Sequence, residues 1–242
     1  MYQEQIIKAR FDKVLAQINA AGLGGRIHPE ESKLRYSQKI TDGKGQYIFN
    51  LKTTEGIDGI TNQTLDRNDV FIPNRWGVML ALKNTTTGVE KLYTFAPVND
   101  GTNPSIFAAG FTTDAIEKLF SGYLQWLVDS NVYLSKYPME KFHKVPETQG
   151  AFVLASDDSA VQQGIQLQRN LDNDLELIYP KFTIAGTHDH KITVNFDAAN
   201  LQFPVTSGYE AELVLMMDGF LVKGGCENTD GKNAFGDAVG QW

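Results

Sequence analysis

Apolar positions recur along this chain in two periods. Between residues 2 and 20 they fall at Ile6, Ile7, Phe11, Val14, Leu15 and Ile18, the three-to-four spacing of an amphipathic helix. Gly22, Gly24 and Gly25 end that pattern, because glycine readily takes the left-handed conformation that closes a helix. From Ser32 onward the period falls to two, and strands dominate. Leu34–Ile40 and Tyr47–Leu51 flank the turn residues Thr41-Asp42-Gly43-Lys44-Gly45, which predicts a hairpin. Glu55–Asp69 reads as a long loop. Val70–Asn84 reads as a strand pair or one bent strand, with Pro73 disfavouring a central ladder position. Asn84–Gly88 turns the chain into a strand over Lys91–Phe95, and Pro97–Gly110 is a further loop. Thr112 or Thr113 caps a short helix through Phe120. Tyr123–Val128 and Val132–Tyr137 form a hairpin about Asp129-Ser130-Asn131, and Lys141–Val145 forms a short strand.

Pro146–Gly150 is the best candidate boundary, being turn-rich and without apolar period. Beyond it Asp157–Leu171 fits a helix or a short strand, and strands follow at Leu175–Ala185, Lys191–Phe196 and Glu210–Lys223. An internal echo about 145 residues apart links the halves. Tyr47, Phe49 and Leu51 match Ile192, Val194 and Phe196 in period and face, and Gly77 matches Gly219. The expected organisation is therefore mainly β, with two jelly-roll-like antiparallel sandwiches and an N-terminal amphipathic helix. The helical arm takes residues 1–28, the first sandwich 29–148, and the second 149–242 with a C-terminal tail ending on Trp242.

Composition narrows the functional classes. A chain of 242 residues with 42% hydrophobic and 21% charged content can bury a substantial core. The net charge of −7 argues against a chain whose main task is neutralising nucleic-acid backbone. One cysteine, Cys226, rules out an internal disulfide and a cysteine-cluster metal site. The N-terminus shows no secretory pattern, and no window reaches the length of apolar residues that spans a bilayer, so a soluble protein is expected.

Candidate chemistry is sparse. His188 and His190 would share a face of an extended strand about 7 Å apart, close enough to share a metal, but they lie where the echo places a polar turn. Asp157-Asp158 and Asp172-Asn173-Asp174 offer oxygen ligands without the glycine and distal glutamate of an EF-hand. His28 and His143 stand alone, and Cys226 has no base beside it in sequence. Tyr123, Trp126, Tyr133 and Tyr137 form either a sugar-binding platform or core and cross-strand packing. The chain contains no nucleophile elbow, phosphate loop or paired-histidine zinc helix, and Gly22-x-Gly24 follows a helix rather than a strand. A non-enzymatic protein without cofactor or metal is expected.

In layout the chain resembles the double jelly-roll major capsid proteins of icosahedral, membrane-containing phages, of the corticovirus and finnlakevirus kind. The resemblance rests on the helix Gln3–Ala20, the entry Glu31–Tyr36, and Arg67-Asn68-Asp69-Val70-Phe71 before the long strand. It rests also on Lys141–Pro146 before the boundary, and on Val214–Lys223 with its Asp218-Gly219 break. It implies a structural virion protein that forms a homotrimer of pseudo-hexagonal outline, tiles a shell, and resides in virions assembled in the host cytoplasm. Other virion proteins would be further partners. The helix, through Ile6, Ile7, Lys8, Arg10, Phe11, Lys13, Val14, Leu15 and Ile18, would face a neighbouring subunit, an inner membrane or the genome. Two jelly rolls need about sixteen strands, and the second half supplies too few. Residues 151–175 or neighbouring subunits supply the rest, or the architecture is a single elaborated sandwich. In that last case another virion component (penton, spike base or tail) fits equally well, as does a carbohydrate- or receptor-binding module.

Overall fold

The computed structural model describes residues 2–20, 27–51, 65–94, 118–144, 175–179, 182–196 and 207–226. They form one long helix and ten strands in two antiparallel sheets. Helix α1 spans Tyr2–Ala20. Sheet one contains β1 (Pro29–Lys39), β10 (Tyr209–Val222), β3 (Val70–Asn84) and β4 (Glu90–Tyr93) in that spatial order. The two-residue strands β7 (Glu176–Leu177) and β8 (Ile184–Ala185) also pair with β3. Sheet two runs β2 (Gln46–Asn50), β9 (His190–Asn195), β5 (Tyr123–Val128) and β6 (Asn131–Pro138).

The expected separation into sandwiches over 29–148 and 149–242 is not how the described strands are grouped. Strands of both halves lie side by side in each sheet. The echoed segments are bonded neighbours: Tyr47 pairs with Val194 and Phe49 with Ile192, while Leu80 of β3 pairs with Leu213 of β10. Antiparallel partners that share one core must present apolar side chains on the same face, and that requirement gives them a common period. The two glycines do not oppose each other, since Gly77 pairs with Met216 and Gly219 with Pro73.

The Thr41–Gly45 turn is present, with Gly43 at φ +75° and the Lys44 amide donating to the Thr41 carbonyl at 3.1 Å. It does not close a hairpin. β1 pairs with β10 and β2 with β9, so the turn is a corner carrying the chain from one sheet to the other. Tyr36 ties that corner by donating its hydroxyl to the Leu51 carbonyl at 2.8 Å. The β3–β4 hairpin and the β5–β6 hairpin about Asp129 form where the pattern places them. The short strand expected over Lys141–Val145 is a 3₁₀ turn, Met139–Phe142, because three-residue spacing drops both Met139 and Phe142 into the core.

β3 is a single 15-residue strand, and Pro73 lies inside it, opposite β10 on one edge and between the β8 and β7 pairings on the other. A β-bulge makes this tolerable: the register passes from Arg75↔Asp218 to Pro73↔Gly219, leaving Asn74 as the extra residue. Gly219 has to be glycine at this site, since a Cβ there would lie 2.2 Å from the Ile72 carbonyl oxygen. Between the sheets, Trp76, Trp126, Tyr47, Phe71, Phe120 and Phe142 are fully buried and fill the interior. Gly219→Ala should cost about 2–3 kcal/mol in chemical denaturation through this backbone collision. Gly43→Ala, with open space around it, should cost about 1 kcal/mol from its positive φ alone. Equal costs at the two positions would contradict the bulge geometry.

Candidate functional surfaces

Helix α1 is not extended away from the protein. Val14 and Ile18 are buried against Val70 and Ile72 of β3 and Val222 of β10, on the face of sheet one turned away from the main core. Phe11 meets Phe220 edge to face at 5.2 Å. Arg10, read from the sequence as part of a basic surface, is 6% exposed and points inward. Its guanidinium donates to the Asn74 carbonyl at 2.9 Å and to the Ile178 carbonyl at 2.8 Å. At the bulge the Asn74 carbonyl also accepts the Ile178 amide at 2.9 Å, so the helix captures a carbonyl pair at the β3–β7 edge. Among the expected arm residues, Lys8 and Lys13 are exposed, whereas Ile6, Ile7, Phe11 and Leu15 are half-buried.

The same face of sheet one carries a belt of ion pairs over an apolar floor. Leu34 and Tyr36 point into the sandwich, so Arg35 and Ser37 point outward, as do Met79, Ala81 and Val214 by the same alternation. Those three apolar residues are buried. Arg35 reaches Glu90 across the sheet, and Arg75 donates its Nε to Asp218 at 2.9 Å. Glu212 is 7% exposed, and burial pushes its carboxyl above the ordinary range, while Lys83, the Ser37 hydroxyl and Arg35 pull it down. Partly buried pairs of this kind fix the lateral order of strands more than they add net stability.

Two turns meet at one end of sheet two. Asp129 has a left-handed backbone, φ +53°, which is rare for a residue with a Cβ. It is held by reciprocal bonds. Its amide donates to the Asp189 carbonyl at 2.8 Å, and its carboxylate accepts from the Asp189 amide at 2.9 Å and contacts His188 Nδ1 at 2.8 Å. The Asp189 amide, first, and the His188 ring hold the Asp129 carboxyl below its usual range. His188 therefore occupies a polar turn. His190 does not: it opens β9, is 3% exposed, and accepts the Ala185 amide on Nε2 at 3.2 Å. The two rings do not share a face, and no group of three or more potential metal ligands occurs among the described residues.

The aromatic hairpin is turned inward rather than presented as a platform. Trp126 is 1% exposed and packs on Phe182 at 4.7 Å and Trp76 at 6.0 Å, and Tyr137 meets Trp76 at 5.0 Å. Tyr133 packs partly against the same core, and Tyr123 lies under the Lys136 ammonium. His143 stacks on Phe120, and His28 is exposed. Cys226 is half-buried with its thiol directed at the Asp69 carbonyl, and burial raises its pKa. Asp157, Asp158, Asp172, Asp174 and Trp242 lie outside the described residues. Arg10, Glu212 and Asp218 escaped sequence reasoning as buried groups because nothing local separates a buried charge from a surface one. No helix among the described residues is long and apolar enough to cross a membrane.

No protein-family model, curated protein or solved structure matches this chain.

Two substitutions probe these assignments by chemical denaturation. Arg10→Met should cost about 2 kcal/mol by stranding a buried carbonyl, against less than about 0.5 kcal/mol for the exposed Lys8→Ala. Comparable small effects at both sites would mean that α1 is not anchored. Trp126→Ala should cost about 3–5 kcal/mol as a core deletion, and unchanged stability would return that ring to the surface.

Proposed function

We propose that this chain is a structural component of a virus particle, built as one jelly roll per chain. The observation that carries the reading is the strand order. The chain behaves as a long antiparallel ribbon wrapped into two sheets: β1 pairs with β10, β2 with β9, β3 with β8 and β7, and β5 with β6. With β7 and β8 counted as two pieces of one strand position beside β3, these pairs match the eight strands of a jelly roll, and β4 is an added strand at the far end of β3. Jelly rolls serve in viral shells, in lectins and in cupins, so the fold alone does not choose among them. The interior favours the first: large aromatic side chains fill it, leaving the sandwich to act through its outside surfaces. The buried Trp126 removes the ring on which a sugar-binding reading depended.

The double jelly-roll resemblance implied two such units per chain and a trimer of six-fold outline. With one unit per chain, the same outline takes six copies instead of three. On this reading the partners are copies of the same chain and then other virion proteins, in particles assembled in the host cytoplasm. Helix α1 is docked on its own sheet and presents Lys8 and Lys13 outward. Those two residues form the side of the helix offered to a neighbour, an anionic lipid surface or a genome. Light scattering coupled to size-exclusion chromatography should give a multiple of 26.9 kDa, with rings or shells visible by electron microscopy. A monomer that persists at high concentration would contradict the proposal.

A further inference from the structure

The turn between β8 and β9 is built around a histidine that can hold it in only one protonation state. His190 lies in the core edge-on to Trp126, with ring centroids 6.1 Å apart. Because Nε2 accepts the Ala185 amide, the ring proton sits on Nδ1, and Nδ1 is buried without a hydrogen-bond partner among the described residues. The His188 amide donates back to the Ala185 carbonyl at 3.0 Å and closes the turn. Ala185 belongs to β8, whose hold on the sheet is a two-residue pairing with Val70 and Phe71 of β3, extended by the Gly186 amide donating to the Asp69 carbonyl at 2.9 Å. The Asp129 clamp secures the other side of the same turn.

We infer that this turn is a latch that acid opens, releasing β8 from β3 when His190 takes up a second proton. An imidazolium has two donors and no acceptor, so it would face the Ala185 N–H with another N–H and place a charge against Trp126. The titratable and charged groups facing His190 are His188, which opposes the added charge, and Asp129 and Asp189, which favour it. Burial, helped by His188, outweighs the Ala185 backbone contact and the two carboxylates and lowers the His190 pKa from 6.5 to about 4. The opened turn, in water, binds the proton at the ordinary value. Closure is therefore fully favoured above 6.5, and acid progressively removes that preference as the pH falls through the native value. On the Asp129 side the Asp189 amide donates to the carboxylate at 2.9 Å, a hold that does not require an imidazole to act as acceptor. The latch does not depend on the virion reading, since it uses only groups within one chain.

Nuclear magnetic resonance on the intact protein tests it. The His190 imidazole should titrate between the closed-turn value of about 4 and the ordinary 6.5, and the Ala185 amide should lose its exchange protection in the same step. Tryptophan fluorescence should fall with that midpoint, because an imidazolium beside Trp126 quenches it. His190→Gln, which keeps an acceptor but cannot be protonated, should abolish the fluorescence step, and His188→Gln should retain it. The inference is overturned if Ala185 stays protected while His190 titrates, if His190 titrates near 6.5, or if the step survives in His190→Gln. Should that variant fail to fold, the wild-type Ala185 and His190 titrations decide alone.

Discussion

The arrangement depends on one insertion: β10, near the C-terminal end of the described residues, lies between β1 and β3. It pairs with β1 from Pro29↔Val222 to Lys39↔Glu212 and with β3 along its whole length. A strand bonded on both edges and covered on both faces has no solvent side, which is why Leu213-Val214-Leu215 is an unbroken apolar run. Without β10 sheet one would fall into a lone strand and a hairpin, and Leu34, Tyr36 and Leu80 would lose the neighbour that covers them. A ribbon closed this way brings residues nearly two hundred positions apart into register, so its folding rests on non-local contacts.

That insertion also explains the helix. Pro73 has no amide to give the ladder, and Gly219 opposite it lets the backbones approach while Asn74 bulges outward. The Asn74 carbonyl accepts both the Ile178 amide and the Arg10 guanidinium. A proline in a central strand thus leads to a buried arginine, and the arginine fixes where α1 docks. Sheet one, its bulge and the helix form a single mechanical unit.

Periodicity disclosed the elements more fully than their partners. The helix over 2–20, the β5–β6 hairpin and the strands at 191–196 and 210–223 are visible because the apolar spacing is local. Pairing between Phe49 and Ile192 is not local, and the similarity of those segments read as duplication when it reflects two neighbours facing one core. The Thr41–Gly45 turn has hairpin chemistry, but only the destination of the next strand separates a hairpin from a corner. Arg10 and His190 looked like surface or turn residues because their burial comes from elements far away in the chain. The mainly β character and the long helix were therefore readable, and the strand partners and buried charges that organise them were not.

Cutting the chain at its turn-rich boundary tests the interleaved architecture most directly. Fragments 1–148 and 149–242, each heated alone and followed by circular dichroism, should show no cooperative transition, because every sheet needs strands from both. The intact chain should melt in one. Two fragments that each melt cooperatively would contradict the account and restore a pair of independent sandwiches.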